Sequence, residues 1–284
     1  MNWKAIARSA IGTSHSKLDM PCQDYGDYKT IGDAIVGVVA DGAGSAKYSD
    51  LGAKLAVNTV LKNVTERDIS TITKLCRSKN NSNNTSKQKN LVARVCNCLP
   101  NKDKQSNFKA SSKQELNKFF INIVEKVVAA LEKEAANNKH SVDDLACTLL
   151  IIIATPEGIA AMQIGDGFIT VRYSNSQFQL LFRPDKGEYV NETTFVTSNN
   201  AIEDMKVKLE PGRPEFICAS TDGLERLAIR LSDWTPHNPF FKPLEQWLRE
   251  TEDLESDEYL DFLNSDELNA RTDDDKTLFL CLFV

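Results

Sequence analysis

Residues 34–40, AIVGVVA, run the length of a strand without a polar side chain. A strand that faces water on one side alternates apolar with polar residues, so an unbroken run this short is a strand covered on both faces. EFICAST at 215–221 and the closing KTLFLCLFV read the same way. Around them the strands come in blocks. Residues 147–155, 158–164, 167–174, 177–182, 193–197 and 206–209 follow in close order, with Pro-Glu-Gly (156–158), Gly-Asp-Gly (165–167) and Asn-Ser (175–176) as turns. Strict strand–helix alternation would mean a parallel sheet; hairpin-linked blocks mean antiparallel sheets with helices packed outside. The expected class is α+β, a central antiparallel β-sandwich flanked by helices.

The helices show in the period. From Ser49, a candidate N-cap, Leu51, Leu55, Val57, Val60 and Leu61 recur at three- and four-residue steps until about Asn63. Over 114–137 an apolar stripe runs through Leu116, Phe119, Phe120, Ile123, Val127, Val128 and Leu131. A helix is expected at 224–231 and two more within 239–264. A first strand covers 4–11. Residues 64–113 are polar, rich in Lys and Arg, and weakly periodic, with one short helix expected around NLVARVCNCL (90–99). They read as a solvated, partly disordered insertion in a single domain of 1–284; docking of a kinase, an acidic partner or nucleic acid is the sharper alternative for that stretch.

A net charge of -6 argues against a nucleic-acid binder. No segment has the apolar length to span a bilayer, and the N-terminus has no apolar leader. The seven cysteines are an odd number without framework spacing, and Cys96-x-Cys98 lacks a second pair. They are expected to be reduced thiols of a cytoplasmic protein with no zinc site.

Several strands end or begin at aspartates. VGVVADGAGS (36–45) delivers Asp41 into glycines, ICASTDGLERL (217–227) delivers Asp222, MQIGDGFITV (162–171) sets Asp166 between two glycines, and RTDDDKTLFL (271–280) stacks Asp273, Asp274 and Asp275 before a strand. Asp-Gly is a common turn pair, and Asp166 fits that reading well. Asp41 and Asp222 precede helical patterns instead of hairpins. If these groups meet, they need a counter-charge, and hard Mg²⁺ or Mn²⁺ with oxygen ligands fits. Two such ions about 3.5–4 Å apart clamp a phosphoryl group for in-line attack by water.

The ordered set MPCQDYGD, VVADGAGS, ACTLL, QIGDGFITV, ASTDGLERL and DDDKT resembles the metal-dependent serine/threonine protein phosphatases of type 2C, in a bacterial branch. The resemblance implies a four-layer αββα sandwich and hydrolysis of phosphoserine or phosphothreonine by a metal-activated water, with two Mn²⁺ or Mg²⁺ per chain and a third more weakly held. It implies Asp41 as the bridging ligand, the carbonyl of Gly42 beside it, Asp222 and Asp274 on the first metal, Asp166 on the third, and Asp24 orienting water. Three positions depart from the pattern: Gln23 stands where the family often has Glu, Ala43 where eukaryotic members have His, and Asp19 where many have an arginine for phosphate. Gln23 can act only through its amide oxygen. His15 and Lys17 are the nearby groups that could bind phosphate or donate a proton, although a structural role is the more ordinary one for His15. Phosphorylated proteins are the implied substrates and a eukaryotic-type Ser/Thr kinase the implied opposing partner, with the chain expected to be a monomer. A metal-binding module that holds phosphoproteins without turnover is the competing reading.

Overall fold

A computed structural model of the chain describes residues 2–93, 103–183 and 193–284, with the side chains of 80–111 left aside. In chain order, β1 is Trp3–Ala10, α1 Thr13–Lys17, β2 Tyr25–Ile31, β3 Ala34–Ala40, α2 Ser49–Asn63, α3 Glu66–Ala93 and α4 Asp103–Asn138. There follow β4 Leu149–Thr155, β5 Gly158–Ile164, β6 Phe168–Tyr173, β7 Gln179–Leu180, α5 Ala201–Asp204, β8 Lys206–Pro211 and β9 Pro214–Ser220. The chain closes with α6 Glu225–Ala228, β10 Ile229–Arg230, β11 Thr235–Pro236, α7 Asn238–Glu250, α8 Glu258–Leu263, α9 Asp266–Asn269 and β12 Lys276–Phe283. One sheet has the order β1-β12-β9-β6-β7 and the other β2-β3-β4-β5-β8, and their paired strands are antiparallel.

Four layers explain the apolar runs. In β3, Ala34, Val36, Val38 and Ala40 pack toward α2, α3 and α4, while Ile35 and Val39 point between the sheets. In β12, Leu278, Leu280 and Leu282 pack against Phe241, Leu244, Tyr259 and Leu263 of α7 and α8, while Phe279 and Cys281 point inward. Each strand thus has two dry faces, and neither shows the polar half of an alternating pattern. Phe279 crosses the space between the sheets to Gly37: a Cβ on Gly37 would sit 2.4 Å from Phe279 Cε1. Only glycine leaves room there for the ring.

Several expectations need correction. The stretch after Asn63 is not a solvated excursion at its start: α3 begins at Glu66 and buries Ile69, Ile72, Leu75 and Cys76 against the sheet that holds β3. The short helix expected at 90–99 lies mostly outside the described residues. Ser49 is the first residue of α2, buried with an unpartnered Oγ, and Tyr48 occupies the cap position. Residues 193–197 form no strand; Thr193 and Thr194 spend their hydroxyls on Asp166 and Asp204. The helix expected at 224–231 stops at Ala228, where Ile229 and Arg230 pair with Pro236 and Thr235. β2 went unread because it is an edge strand with half-exposed residues and no apolar alternation. No helix among the described residues is long and apolar enough to cross a membrane.

Candidate active site

The antiparallel registers bring the strand-end carboxylates to one end of the sandwich. Tyr25 pairs with Ala40, so Asp24 and Asp41 are neighbours. Leu149 pairs with Ile164, which carries the Gly165-Asp166-Gly167 turn to the same end. Ser220 pairs with both Phe168 and Leu278, adding Asp222 and the Asp273–Asp275 run. Asp41, Asp166 and Asp222 each offer an oxygen within 4.8 Å of the others.

Hydrogen bonds fix the frame. The Asp41 N–H donates to Thr148 Oγ1 at 3.0 Å, and the Thr148 N–H donates to the Asp41 carbonyl at 2.7 Å. The Gly42 N–H donates to the Gln23 carbonyl at 3.1 Å. Thr221 Oγ1 donates to Asp24 Oδ2 at 2.7 Å and accepts from the Thr277 N–H at 3.1 Å. Gln163 Nε2 donates to the carbonyls of Gly165 and Gly167 at 2.9 and 2.8 Å, bracing the turn that carries Asp166. Thr193 donates to Asp166 Oδ2. Thr148 lies in the ACTLL motif, but nothing in the sequence assigns it, Gln163, Thr193 or Thr221 a partner; only the fold does.

The electrostatics are those of crowded, desolvated acids. Burial first, then the charges of Asp24 and Asp222, push Asp41 up to about 11. Burial raises Asp24 to about 8, against the Thr221 hydrogen bond that lowers it. Asp222 rises to about 6 through burial and the charges of Asp166 and Asp274, and Asp274 itself is raised, chiefly by burial. Glu225, which the sequence reading passed over, rises to about 7 through burial beside Asp222 and Asp166. The largest charges acting on Asp41 belong to other carboxylates, Asp24, Asp222 and Asp166. Such a group keeps its protons or takes up cations.

The other expected residues are distributed around this centre. Asp274 stands outside the tight trio but close enough for its charge to act on Asp222. Asp24 is buried next to Asp41, whose pKa its charge helps to raise. Gln23 is 4% exposed, and its Oε1 has no partner. His15 faces Asp275, with Nδ1 3.0 Å from Oδ2 but outside hydrogen-bond alignment. Lys17 is exposed at the end of α1 and makes no ion pair with a described residue.

A layered sandwich with an all-oxygen acidic edge defines a class: a metal-dependent hydrolase of phosphate esters. Comparison with known proteins narrows it. The family described as Protein phosphatase 2C matches residues 11–264. Serine/threonine-protein phosphatase 3 of Escherichia coli (strain K12) is 32% identical over 297 residues, covering 100% of both chains. Among solved structures, a bacterial serine phosphatase aligns with a TM-score of 0.58 at 12% identity, covering 100% of this chain and 98% of that one. Serine/threonine phosphatase Stp1 from Staphylococcus aureus aligns at 0.58 and 12%, covering 100% and 96%. The S. agalactiae serine/threonine phosphatase aligns at 0.55 and 13%, covering 99% and 100%. The chain belongs to the protein phosphatase 2C family.

Proposed function

We propose that this chain is a serine/threonine protein phosphatase that removes phosphate from phosphoserine and phosphothreonine at the Asp41, Asp166 and Asp222 cluster. One observation carries the reading: those three carboxylates, from three separate strand ends, bring oxygens within 4.8 Å of one another. A full-length match at 32% identity to a bacterial serine/threonine phosphatase supports it. The residues fit hard cations. The donors are all oxygens, the leading charges on Asp41 are those of other carboxylates, and the buried Gln23 Oε1 is an acceptor left without a donor among the described residues.

In this reading Asp41, the Gly42 carbonyl, Asp222 and Asp274 would hold Mn²⁺ or Mg²⁺, with Asp166 and the Gln23 amide oxygen as further oxygen donors. When bound, the ions supply Lewis acidity to the phosphoryl oxygens and bring the pKa of water toward neutrality. Asp24, fixed by Thr221 beside Asp41, orients the attacking water. The leaving serine or threonine oxygen takes its proton from water or from His15, and Lys17 on the rim attracts the phosphate. The substrates are phosphorylated proteins in the cytoplasm, and a eukaryotic-type Ser/Thr kinase opposes the monomeric enzyme.

The test is hydrolysis of a phosphothreonine peptide with Mn²⁺. Asp41→Ala should lose more than the roughly 10–100-fold typical of residues that only support a metal site. Equal rates for variant and wild type would end the reading, and tight peptide binding without turnover by the wild type would favour the non-catalytic module.

A further inference from the structure

Asp275, the third aspartate of the run before β12, is 3% exposed and belongs to no cluster of metal-binding groups among the described residues. A buried carboxylate needs compensation; the Lys276 charge supplies part of it, and the hydrogen bonds come from one segment, residues 12–23. The Gly12 N–H donates to Oδ1 at 2.6 Å, and the Gln23 N–H donates to Oδ2 at 2.5 Å. His15 Nδ1 lies 3.0 Å from Oδ2. The same segment is fastened one step earlier, where the Ser14 N–H and hydroxyl both donate to the Asp273 carbonyl, at 2.9 and 2.6 Å. The approach is so close that a Cβ on Gly12 would lie 2.3 Å from the Asp274 carbonyl carbon.

The seam runs on into the acidic centre. The Asp275 N–H donates to Asp274 Oδ1 at 2.9 Å, which orients that carboxylate. Gln23, held by its N–H, accepts from the Gly42 N–H through its own carbonyl, beside Asp41. The next residue is Asp24. One buried carboxylate therefore ties the Asp274 side of the site to the Gln23–Asp24 and Asp41–Gly42 side, with His15 Nδ1 beside it.

We infer that Asp275 is a positioning residue, a non-ligand anchor whose carboxylate sets Gln23 and Asp24 in register with Asp274 and Asp41. Charge-assisted hydrogen bonds to backbone N–H groups suit this role, being short and directional. The inference rests on the proposed metal-dependent reaction, and its test separates the two.

Wild type, Asp275→Ala, Asp275→Asn and Gly12→Ala would be titrated with Mn²⁺ by calorimetry, with circular dichroism recording the fold. Supporting residues of a metal site cost about 10–100-fold in affinity when removed. Asp275→Ala should weaken Mn²⁺ binding by at least about tenfold with the fold retained. Asp275→Asn keeps one acceptor oxygen and should recover part of the loss. Gly12→Ala leaves the charge but wedges the segment away, and should weaken binding as well. In wild-type NMR spectra the Gly12 and Gln23 amide protons should lie far downfield, and both should move upfield in Asp275→Asn, a readout that stands even if Asp275→Ala fails to fold. Wild-type Mn²⁺ affinity in all three variants, or unshifted amides in Asp275→Asn, would overturn the anchor. Absence of Mn²⁺ binding by the wild type would overturn the metal-dependent reading instead, and the anchor with it.

Discussion

Asp41 and Asp275 show two fates of a buried carboxylate. Asp275 is matched by backbone N–H groups, whereas Asp41 meets other acids and is pushed to about 11. Stability should record the difference. Asp222, Asp24 and Asp41 all rise from an ordinary value of 3.8, to about 6, about 8 and about 11. A group raised on folding favours the folded state fully below its unfolded value, and that contribution is lost as pH climbs through the folded value. In chelator, thermal stability should therefore fall progressively from about pH 4 to about pH 11, and Asp41→Asn should flatten the slope. Added Mn²⁺ should raise Tm more at the alkaline end, where it replaces protons that have left. A flat or rising chelated profile would contradict this picture of uncompensated acids. Gln163, Thr148 and Thr221 could not be read from sequence at this scale, because a hydroxyl or amide gains its role from a partner brought up by the fold.

At the scale of elements, burial on both faces made the central strands legible. β3 spans the residues of its apolar run, 34–40, and β5 spans 158–164. Where burial is one-sided or local hydrogen bonding competes, the signal failed. β2 at its sheet edge carries no apolar alternation, the 193–197 segment gives its hydroxyls to acids, and α6 yields to a short β pair. The start of α3 was obscured by the polar residues around its buried Ile69, Ile72 and Leu75. The fit of β3 to β12 has a direct check. Gly37→Val would drive side-chain atoms into Phe279 and should cost about 1–3 kcal/mol of unfolding free energy, as overpacked cores do. Denaturant unfolding should show a lower midpoint with unchanged slope; an unchanged midpoint would mean that the sheets can part locally around the ring.

At the scale of the molecule, the sandwich gathers acids spread from residue 24 to residue 275 at one end, which no local window of sequence displays. Their convergence was one of two readings of Asp-Gly pairs, and the ordered motif set tipped the balance. Antiparallel register brings Asp41, Asp166 and Asp222 of that set within 4.8 Å of one another. Anomalous diffraction from a crystal soaked in Mn²⁺ tests that claim most directly. A manganese peak in contact with Asp41 and Asp222 is expected, joined by a second ion sharing Asp41. Peaks only elsewhere, or none at saturating Mn²⁺, would contradict it.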